Sequence, residues 1–579
     1  MGIGKELDTP GRTKRRKVIA AVALWMVSVV PASPRDSSIT EKIDAVKALY
    51  GERRWEDVVA ATEVAPEQPG DFGLYRGLAL SHLGRWDEAE RAFEASLARN
   101  PGDARLMTEI AGLAYRQKNF FLAKKYLRHA LTIEPGDAYG NNLLASIYLL
   151  EDNLEGALRY WNRAGKPRLA DLAFKPQPRL RPILIDRAFA FSRGGLWTGN
   201  DYRTTRERLD GLKVFQAQRF DLEAKEDGTF DLVFRATEKP EWRDSPWVAA
   251  ADFASGLPYQ EVYAEFPNLN GSGLQWNSSF RWDDQKRRVV SELAGPLKDN
   301  PAWRYQLQVD LRNENWNLTN TLVSTAPEPA FVNLEKAAIE GGIQSIPSGQ
   351  WNWSAGFVYS YRTMRNPSGL PAAAARFFTG GSNLGLRGSL RRALLRNPER
   401  RFTIDGGANA EAGTFFREPL GRYFRMEGDL ASRWLPRARG NDYEMQVRLR
   451  SGKTFGDVPF DEMYVLGFDR DTDLWMRGHP GLLEGQKGSA PMGRGYILAN
   501  AEMNKIVYRA PFLALRVGPF LDTGQVYDPS EYFGSQKWMW DAGAQLKIRV
   551  LASLEFVLGY GKDLRSGRNS FFTTVTRSE

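Results

Sequence analysis

Few residues in this chain combine the types and spacing that chemistry needs. They concentrate at Trp475-Met476-Arg477-Gly478-His479-Pro480, in a glycine-rich loop 102 residues before the C-terminus. An arginine guanidinium is a planar fork of donors that stays charged at any pH and can grip a carboxylate with two prongs. Two carboxylates downstream sit on polar strand faces. Glu502 shares its face with Asn500 and Asn504, and Asp522 shares its face with Arg516. Nothing comparable points to catalysis. Cysteine is absent, which excludes disulfides, thiolate metal sites and a cysteine nucleophile. His82, His129 and His479 lie far apart in sequence, so no histidine-rich metal site is expected. Gly452-Lys453-Thr454 looks like the end of a P-loop, but Val447 occupies the required glycine position. A Gly-x-Ser-x-Gly elbow is also missing. The expectation is a protein that is not an enzyme and needs no cofactor.

With 579 residues the chain should hold several domains, and its net charge of +9, much of it at the N-terminus, calls for no nucleic-acid partner. Lys14-Arg15-Arg16-Lys17 precedes a 13-residue apolar run, Val18 to Val30, and then Pro31-Ala32-Ser33. A basic start, a short apolar centre and a small-residue end describe a secretory signal over 1–32, cut after Ala32. No later segment reaches 18 consecutive apolar residues, so a membrane-embedded form would have to be a barrel.

Residues 40–170 repeat at a period of 34: Ala89, Ala123 and Ala157 are in phase, as are Pro101 and Pro135. Around them run Gly84-Arg85-Trp86-Asp87-Glu88-Ala89, Asn119-Phe120-Phe121-Leu122-Ala123 and Asn153-Leu154-Glu155-Gly156-Ala157. This resembles the tetratricopeptide repeat, in which small residues let paired helices pack closely. The resemblance implies a solenoid with a groove for a peptide or a periplasmic partner protein; a plain spacer is the alternative. His82 and His129 fall on these helices as surface or packing residues.

Residues 180–245 read as one small α/β module. Lys175-Pro176-Gln177-Pro178-Arg179 is a hinge. Ile183 to Phe191 is expected to be a strand, Thr204 to Leu212 a helix, and Phe215–Ala224 with Phe230–Thr237 a hairpin turned at Asp227-Gly228. Thr205 to Phe215 and Phe234 to Pro240 resemble parts of a polypeptide-transport-associated (POTRA) domain. That resemblance implies a periplasmic module able to take a client segment as an added strand; a structural collar is the alternative.

Period-two alternation governs 246–579. Trp303, Tyr305, Leu307, Val309 and Leu311 alternate with Arg304, Gln306, Gln308, Asp310 and Arg312. Tyr443, Met445, Val447 and Leu449 oppose Glu444, Gln446, Arg448 and Arg450. An apolar face with aromatic ends and a charged face behind it is the pattern of an antiparallel transmembrane β-barrel.

At Met476-Arg477-Gly478-His479, with Phe520-Leu521-Asp522-Thr523-Gly524 and Phe266-Pro267-Asn268-Leu269-Asn270-Gly271-Ser272-Gly273, the chain resembles the outer-membrane barrel superfamily of the BAM and TAM assembly proteins and the two-partner-secretion transporters. The resemblance implies 16 strands, with an apolar-Arg-Gly-aromatic loop between strands 11 and 12 that folds into the lumen and reaches Glu502 and Asp522 on the wall. Five following strands need about 100 residues. Arg477 leaves 102 and the similar Arg387-Gly388 leaves 192, so position selects Arg477. His479 stands where the family has an aromatic, and the chain does not end on one.

The resemblance further implies a protein of a Gram-negative-type outer membrane, surrounded by its lipid, with N-terminal domains in the periplasm. Its clients would be outer-membrane or secreted polypeptides, inserted or translocated without nucleotide. The alternatives are a repeat-bearing porin for exopolysaccharide or other cargo, and an adhesive surface protein.

Overall fold

The computed structural model describes residues 34–63, 70–240, 250, 253, 256–322, 329–417, 419–510, 512–530, 532–535, 537–550 and 554–577. The signal peptide expected over 1–32 and the barrel start expected at Pro246 lie outside them. The chain divides into two units, Met1–Leu113 and Ala114–Glu579.

The first unit is helical: α1 (Pro34–Gly51), α2 (Trp55–Ala61), α3 (Gly70–His82), α4 (Trp86–Arg99) and the start of α5 (Ala104–Arg116). Small residues set how closely α3 and α4 approach. A Cβ on Gly77 would lie 2.2 Å from the Phe93 ring, and one on Gly73 would lie 2.6 Å from Ser96. Ala89 and Phe93 are buried on the facing side of α4. His82 stacks on Trp55 with ring centroids 4.2 Å apart, a packing role.

The second unit continues with α6 (Phe120–Ile133), α7 (Ala138–Leu150) and α8 (Leu154–Trp161). The 34-residue period is visible in the caps. The Asn119 side chain accepts from the Leu122 amide and the Asn153 side chain from the Gly156 amide, each satisfying an otherwise orphaned helix donor. Ala123 and Ala157 are fully buried, and Lys124 and Glu151 form a buried pair at 2.6 Å.

Next comes a three-stranded sheet in the order β1-β3-β2, from β1 (Leu169–Phe174), β2 (Phe215–Ala224) and β3 (Phe230–Glu238). β1 runs parallel to β3, and β2 and β3 form the expected hairpin. Helices α9 (Pro182–Ala188) and α10 (Gly199–Leu212) lie in the chain between β1 and β2. Leu184, Ile185, Trp197, Leu209, Phe220 and Phe234 share their core. Two expectations are corrected. Ile183–Phe191 is not a strand: a short apolar run does not distinguish strand from buried helix, and Pro182 in the first helical turn starts α9. The sheet also draws its first strand from upstream of residue 180. Thr198 caps α10 in a reciprocal capping box with Asp201.

Fifteen long strands follow: β4 (Glu261–Leu269), β5 (Leu274–Trp282), β6 (Lys286–Leu297), β7 (Asn300–Asn317), β8 (Phe331–Ser348), β9 (Trp351–Ser368), β10 (Gly381–Asn397), β11 (Phe402–Phe415), β12 (Arg422–Trp434), β13 (Tyr443–Phe455), β14 (Gly495–Ala510), β15 (Leu513–Tyr527), β16 (Met539–Val550), β17 (Leu554–Asp563) and β18 (Asn569–Arg577). That count belongs to the described residues; sixteen are expected, and 241–249, ahead of β4, lie outside them. Each strand pairs antiparallel with the next, giving one large sheet that matches a barrel.

The sheet is apolar on the outside. Leu307, Val309, Leu311, Phe357, Tyr359, Met445, Val447 and Leu449 are exposed, while Arg304, Asp310, Arg362, Glu444 and Arg450 are buried. Such a continuous apolar outer face over a charged inner one is the pattern of a sheet that meets lipid. No helix among the described residues is long and apolar enough to cross a membrane.

Both ends of the sheet are covered. At the short-turn end, Asn153 donates to Pro398 O (2.6 Å), Tyr160 Oη to Glu399 (2.6 Å) and Arg187 to Lys298 O (2.9 Å). The α7–α8 and α9–α10 regions thus sit on the hairpin turns. At the long-loop end, Trp316, Leu318, Phe377, Phe415, Val458, Phe460, Met492 and Phe533 pack into an apolar dome.

Candidate functional site: an inward-folded arginine loop

Strands β13 and β14 pair directly with each other, so the 39 residues between them, 456–494, must project from the sheet. They fold inward and hold their shape through two short ladders, Tyr464–Val465 with Met492–Gly493 and Leu482–Leu483 with Gln486–Lys487. The Trp475 indole donates to Asp469 O (3.0 Å) and Thr472 O (2.6 Å), closing the loop on itself. Met476 is buried among Leu466, Tyr496, Leu498, Val526 and Met539.

That anchor aims Arg477 at the inner wall. The residue is 4% exposed. Its Nε donates to Asp522 Oδ2 (2.8 Å) and its Nη2 to Asp522 Oδ1 (2.7 Å), a two-pronged grip. Nη1 reaches Glu502 Oε2 (3.0 Å) and Gln545 Oε1 (3.1 Å), and the Arg477 amide also donates to Asp522 (3.0 Å). The Phe520 ring lies 3.8 Å from the guanidinium carbon. Asn500 donates to Asp522 Oδ1 (2.8 Å), and Lys547 pairs with Glu502 (2.7 Å), so neither acid depends on Arg477 for every bond. Burial opposes the charge, but hydrogen bonding and attraction to Asp522, with Glu502 behind it, outweigh this and hold the guanidinium more basic than usual.

The next two residues continue the contact. Gly478 N–H donates to Asp541 Oδ2 at 2.6 Å. A Cβ on Gly478 would fall 2.7 Å from the Asp541 carboxylate and 2.8 Å from the Asp563 amide, so close approach is what requires glycine here. His479 Nδ1 lies 2.9 Å from Asp541 Oδ1 and Nε2 lies 3.6 Å from Asp563 Oδ2. Asp522 is the register partner of Asp541, and Asp541 that of Asp563. The tip Arg477-Gly478-His479 therefore faces a row of three acids on β15, β16 and β17.

The same loop binds the opposite end of the sheet, through residues that strand parity did not single out. Asp471 pairs with Arg281 on β5 (3.0 Å), Arg288 on β6 (3.2 Å) and the loop's own Lys487 (2.7 Å). Lys487 pairs with Glu314 on β7 (2.8 Å). Arg470 donates to Tyr263 Oη (2.7 Å) and lies 3.7 Å from the Tyr259 ring. Glu462 meets Lys336 on β8 (2.6 Å) and Arg362 on β9 (2.8 Å). A signal for these contacts did exist. Arg281, Arg288 and Arg362 lie on the inward parity of their strands, and inward arginines call for acids from somewhere, here the Asp461-Glu462 and Asp469–Asp473 stretches of the loop. Arg387 belongs to the wall itself: it lies on β10 and pairs with Glu340 (2.6 Å) and Glu411 (2.5 Å).

An apolar-jacketed antiparallel sheet of barrel type, a charged loop against its inner face and a helical-repeat arm define a β-barrel protein of the outer-membrane type. Comparison with known proteins adds particulars. The tetratricopeptide repeat model matches residues 80–147. No curated protein matches the chain. Similar solved structures include BamA from Haemophilus ducreyi lacking POTRA domains 1–3, at 10% identity over 72% of this chain and 85% of that one, with a TM-score of 0.41. CdiB from Escherichia coli is 10% identical over 71% of this chain and 75% of that one, TM-score 0.47. CdiB from Acinetobacter baumannii is 11% identical over 78% and 81%, TM-score 0.44.

Proposed function

We propose that this chain resides in an outer membrane and inserts or translocates polypeptides there, with its helical and α/β domains in the periplasm. The observation that carries the reading is the double grip of the 456–494 loop. Arg477 is held by acids on β14 and β15, while Asp471 and Lys487 are held by partners on β5, β6 and β7. Those two sets of strands flank the junction of β18 with β4, which are neighbours in the sheet. Fourteen antiparallel steps separate β4 from β18, so the two run in the same direction. Parallel pairing is slightly weaker per residue than antiparallel pairing. In this reading the sheet closes at this junction, a weaker seam than its antiparallel pairs, and the loop braces it from inside. A client strand is admitted there when the brace yields. Binding and folding energy drive the process.

The β1-α9-α10-β2-β3 module is a POTRA-type domain. Its sheet edges, β1 and β2, present backbone groups that can pair with an extended client. The repeats dock the client or a periplasmic partner. The covered ends of the sheet favour a lateral route over a permanently open pore for polysaccharide.

The test is depletion of the protein followed by parallel measurement of outer-membrane proteins and surface polysaccharide. Loss of particular membrane or secreted polypeptides with polysaccharide unchanged is expected. Loss of polysaccharide alone would replace this reading with the porin.

A further inference from the structure

Ten acidic residues are buried among the described residues: Glu151, Glu261, Asp310, Glu314, Glu411, Glu444, Asp469, Asp522, Asp541 and Asp563. Eight of them have a lysine or arginine nitrogen within 4 Å. Asp541 and Asp563 do not; the ion-pair partner of each is His479. Two carboxylates facing each other on adjacent strands repel, and burial sharpens that repulsion. A neutral imidazole leaves their charge met only by hydrogen bonds, from Gly478 N–H to Asp541 and from Arg565 N–H and Ser566 Oγ to Asp563.

The oxygen geometry is also unfinished. Asp541 has no exposed side-chain surface. Its Oδ2 accepts from Gly478 N–H (2.6 Å) and makes a hydrogen bond with His479 Nδ1 (3.1 Å), while its Oδ1, 2.9 Å from the same nitrogen, accepts no aligned hydrogen bond. One nitrogen of His479 and one oxygen from each aspartate lie within 4.8 Å of one another, the spacing of ligands around a single ion.

The geometry points to a divalent-cation site formed by His479, Asp541 and Asp563, which fastens the loop tip to β16 and β17. One imidazole and two carboxylates form a mixed N/O set that suits borderline first-row ions such as Zn²⁺ or Mn²⁺ better than Mg²⁺ or Ca²⁺. The charge matches as well, since a dication balances the two carboxylates. His479 keeps part of its side chain exposed, which gives an ion a way in. In this account the histidine in the fourth position of the loop motif supplies a ligand where an aromatic side chain would only pack.

The test uses the full chain in detergent, stripped with EDTA and titrated with ZnCl₂ by calorimetry and with MnCl₂ by electron paramagnetic resonance. One saturable site per chain is expected, with affinity lowered at least about tenfold in both Asp541→Asn and Asp563→Asn, whose circular dichroism should match the wild type. His479→Asn, which removes the imidazole but keeps a polar side chain, supplies the same readout if either aspartate variant fails to fold. Absence of a saturable site, binding that survives these substitutions, or displacement of Zn²⁺ by equimolar MgCl₂ would overturn the assignment.

Discussion

Asp522 and Asp541 sit directly opposite one another on β15 and β16, both without exposed side-chain surface. Like charges in that position destabilise a sheet unless something neutralises them. The loop tip neutralises Asp522 with the Arg477 fork and gives Asp541 a hydrogen bond from the Gly478 amide. Wall and loop are therefore complementary parts of one charge arrangement.

Replacing Arg477 with alanine should leave the sheet able to assemble but strand Asp522 in a buried site. Removing one partner of such a pair costs about 3–5 kcal/mol. The expected outcome is a lower melting temperature and failure to complement a deletion strain. Arg477→Lys should recover only part of the loss, because an ammonium cannot make the two-pronged contact. Full complementation by the alanine variant would show that the grip is dispensable.

Gly478→Ala should also destabilise the protein, by less than loss of the arginine, although it removes no charge. Its added methyl would collide with the Asp541 carboxylate and the Asp563 backbone. Overpacking of this kind costs about 1–3 kcal/mol. A thermal melt that matches the wild type would contradict the close approach.

The brace at the β5–β7 side should respond to acid. Burial alone would raise the Asp471 carboxyl, but Lys487, Arg281 and Arg288 outweigh it and hold it well below the usual carboxylate range. A depressed folded value means the contribution is complete above the ordinary aspartate pKa of about 3.9. It is lost only as pH falls below that, through the folded value. The chain has no cysteine, so an environment-sensitive dye on Leu483→Cys, an exposed loop position, reports the loop alone. Its emission should be flat from pH 8 to about pH 4 and change below. A transition near pH 6 would count against this ion pair as the brace.

In the helical arm, Gly77→Val should separate α3 from α4, because even a Cβ there would lie 2.2 Å from the Phe93 ring. A loss of about 1–3 kcal/mol should appear as early melting of helical circular dichroism, with the β signal of the sheet unchanged. Unchanged helix melting would mean that the repeats tolerate a wider spacing.

What the sequence disclosed depended on how local each signal is. Alternation such as Trp303 to Arg312 and the in-phase Ala89, Ala123 and Ala157 are periodic over many residues, so sheet and repeats were legible. Ile183-Leu184-Ile185 was not, because three apolar residues fit either a strand or a buried helical turn, and tertiary packing on Phe234 and Leu209 decided for helix. Strand parity assigns Glu502 and Asp522 to a face but says nothing of which loop residue meets them. Asp471 and Lys487 could not be found that way at all, since a loop has no period and their partners lie 173 to 190 residues upstream. The acid row became visible only through register, which joins Asp522, Asp541 and Asp563 from three strands.

The central claim is that the β18–β4 junction opens during function. Tyr259 Oη donates to Thr573 Oγ1 across it at 3.0 Å. A Tyr259→Cys, Thr573→Cys double variant, in a chain with no other cysteine, can be bridged by a bis-maleimide reagent that carries a reducible disulfide and released by reduction. Complementation should be lost when the bridge forms and return when it is cleaved. Equal activity of the locked and reduced forms would show that clients do not use this seam.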